Sequence, residues 1–355
     1  MTRADRVERR VGESGLDALL VTDRLNLRYL TGFTGTNGIA VVGPETRRFL
    51  TDSRYVERAR AEVDGFDLEP APQELRLALA QGWPEGAVRL GFDDADVSVR
   101  LHGKLRETLP ERVELLPAGG LVEAERAVKE ARELDAIRAA AELTDAIYDW
   151  VRERGLVGRT ERAVALAVEQ EMRERGADDP AFPSIVAAAE NGALPHATPR
   201  DVEIAANTLV TLDIGARLDG YCSDGTRAWA TGDLDDDLAE LYETVKRAQQ
   251  AALDAVRPGA EGKAVDAVAR DLIAAAGHGD HFGHGLGHGV GLDIHEAPRL
   301  ARTSDAVLDA GNVVTVEPGI YVPGRGGARI EDLVVVTAEG REVLSSTTKE
   351  LVKVG

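Results

Sequence analysis

The amino-acid sequence predicts an α/β (α+β) protein of two domains, a small α/β domain over residues 1–120 and a larger one over residues 121–355. Three observations lead to this prediction. The length of 355 residues is enough for two hydrophobic cores. Short apolar strands alternate with helical stretches in the first third. Further along, two carboxylate-bearing hairpins, each accompanied by helical sequence, indicate a duplicated unit.

The first domain begins with a helix near residues 6–14, followed by an apolar strand at 18–21. Further strands are expected at 39–42 and 48–51, with a Gly-Pro turn between them, and then a helix over 54–63. Gly119-Gly120 marks the expected domain boundary.

The second domain is expected to open with a long helix from Val122, which is amphipathic. Its buried stripe recurs at helical spacing through Leu134, Ile137, Ala141, Thr144, Tyr148 and Val151. Thr160 is a suitable N-cap for the next helix, which should end near Gly176.

The first hairpin lies within residues 210–230 and carries Asp213 and Asp224. Asp219-Gly220 is a turn signal between its strands. With a two-residue turn there, or one residue earlier, both aspartate side chains emerge on the same face, opposite or diagonal to each other. Carboxylates that close repel each other unless a cation lies between them. The alternative is a solvated acidic face.

The second pair of strands carries Glu317 and Glu331, on either side of a Gly- and Pro-rich turn at residues 323–327. Both glutamates lie beside apolar runs, where a charged group is expected to be paired or to bind a metal. The alternative is a pair of buried salt bridges, with Arg329 as the obvious partner.

A histidine-rich stretch lies between the two hairpins. Five of the seven histidines fall between His278 and His295, among glycines that let the backbone approach a site closely. Dinucleotide and phosphate-loop motifs are absent, and His295-Glu296 lacks the second histidine of a zincin helix. With the four carboxylates, His288 completes a candidate ligand set for two divalent cations.

The composition, 43% hydrophobic and 29% charged residues, is that of a soluble globular protein. The apolar runs are too short for a membrane span, and the start of the chain lacks the apolar core of a signal peptide, so a cytoplasmic location is expected. The net charge of −20 argues against nucleic acid and anionic membranes as partners. The single Cys222 rules out an internal disulfide and is expected to be a small buried filler, the alternative being a thiol that disturbs the site when oxidised.

In order and local sequence, these residues resemble the pita-bread metallopeptidases, the group of methionine aminopeptidase, prolidase and aminopeptidase P. The matching segments are 212–215, 220–227, 287–296, 316–321 and 329–332. The first domain is similar to the creatinase-type N-terminal domain of the Xaa-Pro branch, through residues 26–35 and 49–55. Methionine aminopeptidases usually lack that domain, so the Xaa-Pro branch is favoured.

The resemblance implies a C-terminal pita-bread fold with a pseudo-twofold repeat. It implies a metal-dependent peptidase that hydrolyses the Xaa-Pro bond at the N terminus of dipeptides or short peptides, with a hydroxide that bridges two divalent cations. Manganese or cobalt suits an oxygen-rich site with one nitrogen, with iron or zinc as alternatives. A homodimer is also implied.

The resemblance further assigns roles to individual residues. The metal ligands would be Asp213, Asp224, His288, Glu317 and Glu331, with Asp224 and Glu331 bridging. Glu317 would also take the nucleophile's proton. His295 would stabilise the oxyanion.

Other residues would bind or orient the substrate. His284 and His196 would position it, the alternative for His196 being a loop histidine with only local bonds. Arg329 would line the substrate pocket and orient the carboxylates. Arg227 would either do similar work or pair with a surface acid.

Two other functions remain open at this level. One is another hydrolase on the same fold, such as a creatinase-like amidinohydrolase, and the other is a non-catalytic binding module. Such relatives lack part of the ligand set, whereas all five ligands stand in this sequence, so the peptidase is favoured.

Overall fold

The computed structural model describes residues 1–355. The chain forms two compact units, Met1–Arg126 and Ala127–Gly355. Both units mix helices with strands, so the predicted α/β class is confirmed. None of the helices combines the length and the apolar character needed to cross a bilayer.

The N-terminal unit is built on one six-stranded sheet, in which the strand order is β4-β3-β2-β1-β5-β6. The strands are Ala18–Val21 (β1), Gly38–Gly43 (β2), Thr46–Asp52 (β3), Asp67–Ala71 (β4), Val88–Phe92 (β5) and Val113–Pro117 (β6). The central strand β1 pairs antiparallel with β2 and parallel with β5. The strands predicted at 18–21, 39–42 and 48–51 are therefore confirmed.

Five helices belong to this unit. They are Arg3–Glu13 (α1), Arg24–Thr31 (α2), Val56–Glu62 (α3), Val99–Thr108 (α4) and Glu123–Arg126 (α5), with a 3₁₀ segment at Leu75–Ala80. Helix α1 begins with a capping box, in which Thr2 Oγ1 accepts from the Asp5 N–H at 3.1 Å and the Asp5 carboxylate accepts from the Thr2 N–H at 2.6 Å.

The C-terminal unit contains four long helices. They are Ala131–Arg154 (α6), Glu161–Glu174 (α7), Asp236–Ala255 (α8) and Gly262–Ala275 (α9), with 3₁₀ segments at Ala189–Ala193 and Gly279–His281. Thr160 caps α7 as predicted, because its hydroxyl accepts from the Ala163 N–H at 3.1 Å.

The prediction that one long helix begins at Val122 is wrong. A short helix, α5, ends at Arg126, and α6 begins only at Ala131. The intervening Lys129 donates its backbone N–H to Gly311 O at 2.9 Å, outside any helix, and the Glu133 carboxylate caps the start of α6 by accepting from the Glu130 N–H. The predicted stripe from Ile137 to Val151 is buried, whereas Leu134 is only partly so.

The strands of this unit form several small sheets. They are Asp179–Pro180 (β7), Ile185–Ala188 (β8), Leu209–Ile214 (β9), Ala216–Leu218 (β10), Tyr221–Cys222 (β11), Gly225–Ala230 (β12), Gly287–Gly289 (β13), Glu296–Leu300 (β14), Val313–Val316 (β15), Gly319–Val322 (β16), Gly326–Arg329 (β17), Asp332–Thr337 (β18) and Gly340–Val343 (β19).

Both predicted hairpins are present, and each is interrupted midway. In the first, β9 pairs with β12 and β10 with β11, around a two-residue turn at Asp219-Gly220. Both turn residues have positive φ, +46° and +75°, as a type I′ turn requires. In the second, β15 pairs with β18 and β16 with β17. In each hairpin, the outer strand pair next to the turn (β10 with β11, or β16 with β17) belongs to a different sheet from the inner pair farther from the turn (β9 with β12, or β15 with β18).

Each hairpin packs on the pair of helices that precedes it, which is the duplicated order of elements that the sequence predicts. Helices α6 and α7 share a core with β8, β9 and β12, and α8 and α9 share another with β15 and β18. Tyr148 on α6 joins both strands of the first hairpin, since its hydroxyl lies 2.5 Å from Gly225 O and 3.3 Å from Leu212 O. These two hydrogen bonds attach strands β9 and β12 of the first hairpin to α6.

Cys222 on β11 is the buried filler that the sequence predicts, with 3% of its surface exposed. Burial raises the pKa of its thiol to about 12. Because the thiolate is the reactive form, the folded protein should not react at this residue at neutral pH.

We predict that a thiol reagent labels the native protein at pH 8 far more slowly than the chain in guanidinium chloride, which should give one thiol per chain. The unfolded thiol has an ordinary pKa of about 8.5 and loses its proton first. The free energy of unfolding should therefore fall as the pH rises above about 8.5. Equally fast labelling of folded and unfolded protein would contradict the buried placement.

Candidate metal centre and active site

One cavity of about 880 Å³ in the C-terminal unit gathers the residues that the sequence singles out. Its walls include the five candidate ligands, the pocket histidines and the arginine: Asp213, Asp224, His288, Glu317, Glu331, His196, His284, His295 and Arg329. These residues come from segments more than 100 positions apart in the chain. Their convergence is the first requirement for a shared site.

The interrupted hairpins place the four carboxylates. Asp213 lies opposite Thr226, so Asp224, two positions before Thr226, is diagonal to Asp213, as the sequence predicts. In the second hairpin, the inner and outer strand pairs share one register, in which Glu317 and Glu331 occupy opposing positions. Three of the four carboxylates stand in the gaps between strands, where the side chains of both hairpins can point into the cavity.

His288 on β13 directs one ring nitrogen at these carboxylates. Its Nδ1 lies 3.1 Å from Gly289 O, and because a carbonyl can only accept, Nδ1 carries the proton of the neutral ring. Its Nε2 lies 3.3 Å from Glu317 Oε1 and 3.6 Å from Asp224 Oδ2. Ligand atoms of Asp224, His288 and Glu331 all lie within 4.8 Å of one another. A single cation can contact such a group.

The carboxylates destabilise one another's ionised forms. Burial raises the pKa of Asp224 well above its ordinary value, and the charges of Glu331 and Asp213 raise it further. Burial, with the charges of Glu317 and Asp213, does the same to Glu331. Burial also raises the pKa of Asp213, although Arg329 opposes it. The group is therefore short of positive charge.

Glu317 and His288 form the exception. Burial acts to raise the pKa of Glu317, but its hydrogen bond with His288 and the charge of that ring lower it to about 2. Burial acts to lower the pKa of His288, and Glu317 reverses this and raises it. A cation that binds Nε2 would have to displace the imidazole proton, so its binding should release protons.

Two buried oxygens of the group have no partner in the protein, Asp213 Oδ1 and Glu331 Oε1. Leaving a buried carboxylate oxygen without a partner costs free energy, and such oxygens are common ligands of divalent cations. The donor set of four carboxylates and one imidazole, the charge deficit and the unpaired oxygens together fit a pair of divalent cations.

Thr226 supports this centre, and sequence reasoning missed it. Its hydroxyl donates to Glu331 Oε2 at 2.7 Å and accepts from Arg329 Nε at 3.0 Å. Arg329 also donates to Asp213 Oδ2 at 2.6 Å. The sequence did contain a signal for Thr226, because side chains alternate between the two faces of a strand. Thr226 lies two positions after Asp224 and therefore shares the face on which Asp213 and Asp224 lie.

Tyr321 on β16 is a second residue that the sequence analysis did not single out. Arg329 Nη1 donates to its hydroxyl at 2.8 Å, and the hydroxyl lies 2.9 Å from His284 Nε2. Burial raises the pKa of Tyr321 to about 12, so the hydroxyl keeps its proton. Tyr321 could have been identified from the general rule that a buried tyrosine needs a hydrogen-bond partner for its O–H group.

Arg227 lies behind the site and does not pair with a surface acid. Its side chain is 1% exposed, and it donates to Asp332 Oδ1 at 2.8 Å, where Asp332 is equally buried. It also donates to the backbone carbonyls of Thr226 and Glu331. Arg227 thus ties together the two strands that carry these residues.

Two histidines stand at the more open part of the cavity. His295 is exposed, and its ring centroid lies 4.3 Å from that of His288. Burial of part of the ring, together with His288, lowers the pKa of His295, so the ring is neutral at pH 7. His196 is exposed as well, on the loop that follows the 3₁₀ segment Ala189–Ala193.

Comparison with known proteins places this site in a family context. Residues 135–338 match the model of metallopeptidase family M24, and residues 3–128 match the creatinase/prolidase N-terminal domain. The sequence is 34% identical to an Xaa-Pro dipeptidase of Pyrococcus horikoshii over 96% of this chain and 95% of that protein.

Solved structures agree over nearly the whole chain. An Xaa-Pro dipeptidase from Bacillus anthracis superposes with a TM-score of 0.95 at 38% identity, covering 99% of both chains. An X-Pro aminopeptidase from Thermotoga maritima gives a TM-score of 0.89 at 32% identity, covering 99% of this chain and 100% of that one. The expected creatinase-like N-terminal domain and pita-bread C-terminal fold are confirmed.

We predict that Glu331→Gln raises the melting temperature of the metal-free protein, because it removes a buried carboxyl group whose ionisation its neighbours oppose, while keeping the volume. The same variant should lose most of the stabilisation that added metal gives and should lower turnover by about 100-fold or more. Glu342→Gln, at a half-exposed ion pair on β19, is the control and should leave the melting temperature, the stabilisation by metal and the turnover unchanged. A metal-free variant that is less stable than the metal-free parent would show that Glu331 is structural.

Proposed function

The chain belongs to metallopeptidase family M24, and from that membership and the geometry of its carboxylate pocket we propose that it is a metal-dependent peptidase that hydrolyses the Xaa-Pro bond at the N terminus of dipeptides or short peptides. One observation carries this proposal most directly. Two buried carboxylates, two partly buried ones and His288 converge on one cavity with unpaired oxygens, as a cation-binding hydrolase requires.

We propose that Asp213, Asp224, His288, Glu317 and Glu331 hold two divalent cations. When bound, such cations supply Lewis acidity and activate water at neutral pH. The oxygen-rich donor set suits manganese or cobalt. By the family resemblance, Asp224 and Glu331 are the proposed bridging ligands. Burial and neighbouring carboxylates raise the pKa of both well above the ordinary value, so both would gain from a nearby positive charge.

Glu317 is the proposed proton carrier. Its carboxylate is ionised at neutral pH and lines the cavity, so it can accept the proton of an attacking water and pass it to the leaving nitrogen. A proline nitrogen has no hydrogen of its own in the peptide bond and must be protonated to leave. The relay therefore serves the step that this bond makes difficult.

His295 is the proposed donor to the developing oxyanion. Its ring is neutral, stands beside His288 and is exposed to the cavity, so one N–H can reach a carbonyl oxygen of the substrate. Phe182, Pro195 and Ile294 also line the cavity and give it apolar surface against which a proline ring can pack.

Three further features of the proposal come from the family resemblance. We infer a homodimer, a cytoplasmic location and a substrate-positioning role for His196 and His284. Both ring nitrogens of His284 are engaged within the protein, with Gly285 O and the Tyr321 hydroxyl. A direct contact of His284 with substrate would therefore replace one of these two bonds.

We predict that the purified protein releases proline from Ala-Pro, that a chelator abolishes the activity, and that Mn²⁺ or Co²⁺ restores it. Ala-Ala is the matched substrate without proline and should be cleaved at least tenfold more slowly. A longer peptide that begins Ala-Pro separates the two family activities, since its cleavage indicates an aminopeptidase and its resistance a dipeptidase. Full activity in the presence of chelator would contradict the metal requirement.

We predict that His295→Ala lowers kcat on Ala-Pro by about 100-fold without changing the metal content, because one oxyanion donor is lost. His278→Ala, at a histidine outside the cavity, is the control and should leave kcat unchanged. Elemental analysis is the accompanying measurement. If the metal content falls in step with the rate, His295 is a ligand and the assignment is wrong.

A further inference from the structure

Helix α9 carries a buried ion pair that neither the ligand set nor the proposed catalytic residues include. Asp266 is fully buried, and the Arg270 side chain is 13% exposed. Arg270 Nε and Nη2 donate to the two carboxylate oxygens of Asp266, each at 2.7 Å. Because burying two charges is costly, such a pair seldom stabilises a fold more than apolar side chains would. Its other bonds therefore need an explanation.

Both residues of the pair form hydrogen bonds with the backbone of a single loop, residues 282–286. Arg270 donates to Phe282 O at 2.9 Å and to His284 O at 2.8 Å. Asp266 accepts from the Leu286 N–H at 3.0 Å. The guanidinium also lies over the Phe282 ring, 4.2 Å from its centroid. Three backbone groups within residues 282–286 are thus fixed from outside the cavity.

These hydrogen bonds determine where the carbonyl of Gly285 points, because His284 O before it and the Leu286 N–H after it are both held in place. The Gly285 carbonyl lies 2.7 Å from His284 Nδ1, and because it can only accept, Nδ1 carries the ring proton. Nε2 is then unprotonated, and its lone pair accepts a hydrogen bond from the Tyr321 hydroxyl at 2.9 Å. That hydroxyl in turn accepts from Arg329, which binds Asp213.

We propose that Asp266 and Arg270 are positioning residues that fix the ring orientation and the tautomer of His284, and through it the chain of hydrogen bonds to Tyr321 and Arg329. The role in turnover rests on the proposed peptidase function, whereas the effect on the tautomer does not. Arginine is required because its planar fork reaches the carboxylate and two carbonyls together. Lysine keeps the charge beside Asp266 but cannot make these four bonds.

Arg270→Lys is the test, because it leaves no buried carboxylate unpaired and should fold. We expect kcat on Ala-Pro to fall about tenfold, with KM and metal content near the wild-type values. In a His284→Ala background the same substitution should cause no further fall, since the residue on which the pair acts is gone. Arg138→Lys removes a similar two-bond pairing with Glu342, at residues that do not line the cavity, and should leave kcat unchanged.

The tautomer can be read without turnover, by ¹⁵N NMR of protein labelled in histidine, with the His284 signal assigned by its loss in His284→Ala. The wild-type protein should show His284 protonated at Nδ1, and Arg270→Lys should shift the ring towards the Nε2–H form. An unchanged tautomer in Arg270→Lys overturns the proposal. So does a fall in kcat of equal size in both backgrounds, which would indicate general destabilisation. Inactive wild-type protein with the expected tautomer change would refute the peptidase function alone.

Discussion

Mutual repulsion among closely spaced carboxylates governs the chemistry of the cavity in the C-terminal unit. Two unit charges 4 Å apart interact by about 4 kcal/mol at the effective dielectric constant of a protein surface, and by more in its interior. Asp224 and Glu331 are buried, and Asp213 and Glu317 stand beside them. A fold that gathers four such groups must either supply positive charge or take it from solution.

The protein supplies part of that charge through groups that are themselves held rigidly. Arg329 neutralises Asp213 and is fixed by Thr226, Tyr321 and the carbonyl of Pro195. Behind it, Arg227 joins the backbone of both hairpins and is balanced by Asp332. Arg329 thus offsets part of the negative charge of the cavity, and Arg227 holds the backbone from which the ligands project. The remaining deficit is what divalent cations fill in the proposed function.

The interruption of both hairpins explains how strands can present carboxylates to a shared centre. In an unbroken antiparallel pair, each side chain points straight out from one face, and ligands from two hairpins would lie on separate surfaces. Here the outer strands turn away at the gaps beside Asp213, Asp224, Glu317 and Glu331. The register is kept across each gap, so the pairing of the ligands survives while their direction changes.

The amino-acid sequence was sufficient to predict the two-domain α/β organisation, the turn at Asp219-Gly220, the shared face of Asp213 and Asp224, and nine of the residues that line the cavity. These features follow from local periodicity, turn chemistry and motif order, which are written in consecutive residues. The three-dimensional fold was needed to find that α6 begins at Ala131 and that Arg227 is buried against Asp332. It was also needed to find that Thr226 and Tyr321 bond to groups of the site and that Asp266 and Arg270 bond to the loop before His288. Each of these depends on contacts between segments distant in the chain, because a side chain's hydrogen-bond partner and burial are set by what packs against it in space.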